Sequence, residues 1–128
     1  MSIFSGGKKK RRYPRVSPEK GRPIRVDING VDFLEILHAD NLSEGGLSMV
    51  VPHEFKGCRI DQPVSLIISL PEPMESNVTV SGTIRYISYT RQIFGVAFGN
   101  LKKEDREKIR SYVEYRQEQQ DPTKEPPA

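Results

Sequence analysis

A chain of 128 residues with 35% apolar content has room for one domain with tails and a small core. Its net charge of +3 excludes a polycation that coats nucleic acid, and its single cysteine, Cys58, excludes an intrachain disulfide. No run approaches the ~20 apolar residues of a membrane-spanning helix, and Met1–Gly7 holds no apolar stretch long enough for a signal peptide, so a soluble, cytoplasmic chain is expected.

Residues 1–9 read as a flexible basic segment. Lys8 to Arg15 concentrates six positive charges with no acid, which points to an anionic partner met at the N-terminal end. Pro14 removes a backbone donor and pushes Tyr13 toward an extended conformation. Extended at about 3.3 Å per residue, the arm would set Arg11 and Arg15 roughly 13 Å apart. Their guanidinium groups stay charged and can pair bidentately with phosphate or with the O6/N7 edge of guanine. Ser17 to Gly21 reads as a turn.

From Arg22 the pattern changes to period two. Ile24, Val26 and Ile28 alternate with Arg25, Asp27 and Asn29, a half-buried strand. Asn29-Gly30 is a strong hairpin signal. Val31 to Ala39 is the expected return strand, with a bulge where the alternation slips near Glu35-Ile36-Leu37. Asp40 to Gly46 is a polar turn ending in two glycines. Leu47 to Val51 and Pro63 to Leu70 read as strands, joined by a polar connection from Pro52 to Gln62. Pro71-Glu72-Pro73 ends the second of them. Asn77 to Ser88 and Ile93 to Phe98 are predicted to form a hairpin. Asn100 is the expected cap of a helix from Lys102 to about Gln117. Ile109, Tyr112 and Val113 make its narrow apolar stripe, and Glu104 and Lys108 are spaced as an i,i+4 pair. Residues 118–128 read as a disordered tail. Six short strands and one terminal helix predict a mainly-β fold, a small antiparallel barrel or sandwich.

Catalytic chemistry has little to stand on. His38 and His53 are the only histidines, and neither has metal-ligand spacing to Cys58. No Walker loop, dinucleotide Gly-x-Gly-x-x-Gly or nucleophile elbow is present. Cys58 reads as a plain loop cysteine rather than an activated thiol. The turn Asn41-Leu42-Ser43-Glu44-Gly45-Gly46 is more informative. Asn41 has the donor and acceptor that suit a base edge. Ser43 and the amides of a glycine turn can hold phosphate oxygens, although a tight turn closed by its own side chains uses the same residues. With the arm ahead of it, the turn predicts a receptor for a small phosphate-bearing ligand.

Arg11-Arg12-Tyr13-Pro14-Arg15 resembles the Arg-x-x-x-Arg motif of the PilZ domain family. Asn41-Leu42-Ser43-Glu44-Gly45-Gly46 resembles that family's Asp/Asn-x-Ser-x-x-Gly motif. The order agrees, and Phe94 to Phe98 with the charged helix after it is similar as well. The likeness covers roughly residues 10–117. It implies a six-stranded antiparallel β-barrel with a C-terminal α-helix, and a non-catalytic receptor for the bacterial second messenger cyclic dimeric GMP, with no other cofactor. By the same resemblance Arg11 and Arg15 clasp phosphate and guanine edges, and Arg12 stacks or adds charge. Asn41 bonds a guanine, Ser43 holds phosphate or the shape of the loop, and Gly45 and Gly46 let the ligand approach. Lys10, just before the arginine motif, leaves the ligand stoichiometry open. Tyr86 or Arg85 is the expected contact on a later strand, and strand parity does not choose between them. Ligand binding would order the arm and change a surface offered to a downstream protein. The rival readings are a PilZ-like adaptor that has lost its ligand, and a basic-armed barrel that binds nucleic acid.

Overall fold

A computed structural model describes residues 13–51 and 57–120. Six strands form in chain order: β1 (Arg25–Asn29), β2 (Leu34–Leu42), β3 (Gly46–Val50), β4 (Pro63–Leu70), β5 (Ser76–Ser88) and β6 (Ile93–Phe98). They close in the order β1-β2-β3-β6-β5-β4, with β4 pairing back to β1 and every pairing antiparallel. The period-two pattern is the cause. Val64, Leu66, Ile68 and Leu70 of β4 are buried, as are Val78, Val80 and Ile84 of β5, while Ser65, Ile67, Thr79 and Ser81 between them face solvent. Closure removes the edges an open sheet would leave unpaired.

One helix follows, α1 (Lys103–Gln120). It runs past the expected end at Gln117, and it does not begin from Asn100. Lys102 lends its carbonyl to the amide of Arg106 at 2.8 Å, and so occupies the position just before the first turn. Ile109, Tyr112 and Val113 are at most 2% exposed and join the barrel core. Burying Ile109 and Val113 stabilises by about 1.5–3 kcal/mol each. That packing is why a helix of low apolar content holds its place. Lys108 does not pair with Glu104. It lies 3.6 Å from Asp105 and donates to the carbonyl of Asn77 on β5 at 3.1 Å, so tertiary placement overrides local spacing.

The end of α1 also grips the chain ahead of β1. Arg116, 8% exposed, donates to the carbonyl of Ser17 at 2.8 Å and to that of Pro18 at 3.4 Å. Tyr115 and Gln119 donate to the Glu19 carboxylate at 3.1 and 2.9 Å. The Gln119 bond, joined by Tyr115, Arg22 and Arg116 and opposed by partial desolvation, holds the Glu19 carboxyl below its ordinary value.

One turn and one bulge differ from expectation. Asn29-Gly30 is not a two-residue hairpin. The loop spans Gly30–Phe33 and closes with the amide of Gly30 on the carbonyl of Phe33 at 2.8 Å. The Phe33 ring covers the bare face of Gly30. The β1–β2 register is unbroken through Glu35, Ile36 and Leu37, so no bulge lies there.

Candidate functional site

The register breaks instead between Ala39 and Asn41, where β2 pairs with β3. Ala39 and Leu42 both point into the core, at 6% and 0% exposure. Regular alternation cannot bury both. The bulge resolves this by letting Asp40 and Asn41 face outward together. The Asp40 carboxylate accepts hydrogen bonds from Asn41 Nδ2 at 3.2 Å and Ser48 Oγ at 3.3 Å, which orients the Asn41 amide.

Arg15 meets that amide. Val16, 3% exposed, forms a two-way bridge with Leu42: Val16 N–H donates to Leu42 O at 3.0 Å, and Leu42 N–H to Val16 O at 2.9 Å. An apolar residue pinned this way leaves its neighbour pointing outward. Arg15 Nη1 accordingly lies 3.4 Å from Asn41 Oδ1. The two sequence motifs, far apart in the chain, are thus joined at this point. Arg11, Arg12 and Lys10 lie outside the described residues.

A second bulge lies between Ile84 and Tyr86. Ile84 is fully buried, and Arg85 and Tyr86 both face outward. The Tyr86 ring lies across Gly95 of β6, whose Cβ, if present, would stand 2.2 Å from the ring. Arg85 is held by Asp61 at 3.2 Å, and both side chains are more than 60% exposed. Such a pair contributes about 0–1 kcal/mol, so Arg85 is readily drawn to a stronger anion.

Between these walls lies an open groove of about 320 Å³. Tyr13, Arg15, Ser43, Gly45, Arg85 and Tyr86 line it, over a floor that includes Gly46 and Gly95. The turn Ser43–Gly46 forms one end. Ser43 is 5% exposed and holds the turn from within. Its Oγ accepts from the amide of Gly45 at 3.1 Å, and its own amide donates to Gly46 O at 2.9 Å. Neither Gly45 nor Gly46 has positive φ, so the turn is not a left-handed amide nest. Gly46 is bare for another reason. A Cβ there would stand 2.3 Å from the carbonyl oxygen of Val96 on β6. The approach that Gly46 permits is between strands.

The sequence reading passed over Glu44, Arg106 and Arg110. Glu44 turns away from the groove toward α1. Arg110 donates to both its carboxylate oxygens, at 3.2 and 3.3 Å, and this bonding raises the Arg110 guanidinium further. Arg106 stands 3.9 Å from the same carboxylate and donates to the Tyr13 hydroxyl at 3.4 Å. The available signal was two arginines at i,i+4 beside the apolar stripe, on a helix otherwise rich in glutamate.

The groove holds guanidinium groups, aromatic rings and hydroxyls, with the Asn41 amide beside Arg15, a set suited to binding a flat, anionic molecule. Among the described residues no cluster of three or more His, Cys, Asp or Glu could hold a metal, and no helix is long and apolar enough to cross a membrane. His53 lies outside the described residues. Cys58 packs against the core, and burial pushes its thiol up to about 11. Thiolate is the reactive form, and a rise to about 11 from the ordinary 9.0 leaves on the order of 100-fold less of it at neutral pH. Iodoacetamide is therefore expected to label the native protein far more slowly than the urea-unfolded chain, read by mass spectrometry. Equal rates would show an activated or accessible thiol.

The chain matches no curated protein. Among solved structures it resembles the Bacillus subtilis inhibitor of motility MotI/DgrA, with TM-score 0.70, 18% identity, and coverage of 84% of this chain and 51% of that one. It also resembles the PilZ domain of Escherichia coli YcgR, solved with c-di-GMP, with TM-score 0.70, 10% identity, and coverage of 87% and 94%. The K. pneumonia MrkH–c-di-GMP complex aligns with TM-score 0.63, 12% identity, and coverage of 82% and 50%. The chain thus spans about half the length of MotI/DgrA and MrkH, and nearly all of the isolated YcgR domain. At these identities the likeness is one of fold. The family profile described as the PilZ domain matches residues 9–115, most of the chain, and the chain belongs to the PilZ domain family.

Proposed function

We propose that this protein is a non-catalytic receptor for cyclic dimeric GMP, which binds in the groove between the Arg15 arm, the Ser43–Gly46 turn and the outward pair Arg85 and Tyr86. The observation that carries the reading is the Val16–Leu42 bridge, which sets Arg15 beside Asn41 at the groove's edge. The PilZ match and the ligand held by the YcgR domain support it.

In this reading Arg15, joined by Arg11 and Arg12, clasps phosphate and guanine edges, and Asn41 bonds a guanine. Asn41 Oδ1 already meets one guanidinium, so a base would take the place of a long bond rather than strip a bare group of water. Tyr86 offers a stacking face. Ser43 and Gly46 act through the shape of the turn, and Gly45 gives space to Tyr13. Ordering of the residues ahead of Tyr13 is the signal passed to a protein partner.

The nucleic-acid reading has less support. Arg22, Arg25, Arg59, Arg85, Arg106, Lys108 and Arg110 all have carboxylate partners within 4 Å, so among the described residues the barrel has no broad stripe of unpaired cations. A protein-interaction role draws on Leu34, Ile36 and Ile67, which are 72%, 58% and 45% exposed, with Ile36 and Ile67 flanking Asp27 across β2-β1-β4.

Calorimetric titration with cyclic dimeric GMP, GTP and linear pGpG is the test. Saturable binding of the cyclic ligand alone, with a shallow salt dependence, is the expected result. Absence of heat, with no shift in melting temperature, would leave the adaptor reading.

A further inference from the structure

Glu44 is the charged residue of the Ser43–Gly46 turn, and it is 9% exposed. Its neighbours Ser43 and Gly45 line the groove, and Glu44 itself does not. The fork of Arg110 takes both its oxygens, and Arg106 stands near one of them. Arg106 also lies beside Tyr13, its guanidinium carbon 5.9 Å from the ring centroid. Tyr13 in turn rests against Gly45, where a Cβ would come within 3.2 Å of the ring. Arm, helix and turn therefore meet through one carboxylate and two arginines.

We propose that Glu44, held by Arg110 and Arg106 of α1, is a positioning group for the ligand groove. It fixes the Ser43–Gly46 turn and, through Arg106, the Tyr13 ring, without touching the ligand. The inference rests on the cyclic dinucleotide reading of the groove. A planar guanidinium paired bidentately with a carboxylate fixes orientation as well as distance. Glu44 also places a negative charge one residue from groove-lining groups on either side. The paired arginines offset that charge, which would otherwise oppose the phosphodiesters of the ligand.

The mechanism has a distinctive signature. The Glu44 side chain is 10% exposed and that of Arg110 47%, so removing Arg110 strands a buried charge, whereas replacing both partners is tolerated. Arg110→Met should leave the Glu44 carboxylate poorly compensated and weaken cyclic dimeric GMP binding about tenfold, a coupling of ordinary size for contacting residues. Arg110→Lys, which keeps the charge without the fork, should fall between. E44Q/R110M should bind more tightly than R110M alone, because the stranded charge is gone.

The experiment is calorimetric titration of the full chain and these variants with cyclic dimeric GMP, with thermal unfolding of each. A purely structural role would lower the melting temperature and leave the Kd of the folded protein unchanged. R110M binding within twofold of wild type, or E44Q/R110M no better than R110M, would overturn the inference and leave the receptor reading standing. Wild-type protein that does not bind would overturn both.

Discussion

Arg15→Ala is expected to remove cyclic dimeric GMP binding while the barrel melts as before. Truncating one side of a desolvated, hydrogen-bonded charge pair costs about 2–5 kcal/mol in binding, at least about 30-fold in Kd. Stability should hardly move. The Arg15 side chain is exposed, and it approaches Asn41 at 3.4 Å. Surface changes of this kind usually stay within about 0.5 kcal/mol. The neighbouring residue supplies the contrast. Val16 carries the bridge to Leu42 and is 3% exposed, so anchoring lies with Val16 and, in the proposed site, recognition with Arg15. Titration and a melting curve on the same sample separate the two. An Arg15→Ala protein that bound like wild type would refute the clasp.

Gly46→Ala and Gly95→Ala are expected to fail in opposite ways. At Gly46 the new methyl meets the backbone oxygen of Val96 at 2.3 Å, and a strand carbonyl inside a closed barrel has nowhere to go. Overpacking of this kind costs about 1–3 kcal/mol, a fall of about 4–8 °C per kcal/mol for a domain near this size. At Gly95 the methyl meets the Tyr86 ring at 2.2 Å. That ring is 38% exposed and can swing outward, so the fold should survive while the groove loses a wall. Gly46→Ala should therefore lower the melting temperature, and Gly95→Ala should lower ligand affinity with a smaller thermal shift. A Gly95→Ala protein with native affinity would remove Tyr86 from the site.

The existence of every strand was legible, because alternation records which face is buried. Ile24 to Ile28, Val64 to Leu70 and Val78 to Ile84 each state their burial directly. The stripe of α1 was legible for the same reason at a different period. The turns were less so. Asn29-Gly30 has the composition of a two-residue hairpin, yet the Phe33 ring packed on Gly30 favours a longer loop. The bulges were misplaced because burial on one strand does not reveal where its partner slips. The apparent slip at Glu35 to Leu37 is regular pairing, and the real offsets lie at Ala39/Asn41 and Ile84/Tyr86.

The strand set and the helix could be read from the sequence alone, as could the likeness to the PilZ family that the profile match over residues 9–115 bears out. Each is a local pattern of side-chain type, and a pattern needs no partner to be read. The tertiary structure decided what those residues do for one another. The bulges bring Asn41 and Tyr86 to the outer face, and the bridge at Val16 brings Arg15 to Asn41. The pairing of β3 with β6 makes Gly46 a packing requirement, and Arg106 and Arg110 reach back to Glu44 across 62 and 66 residues. Such contacts are set by how the barrel closes and how α1 lies against it. Closure joins residues that share no local signal.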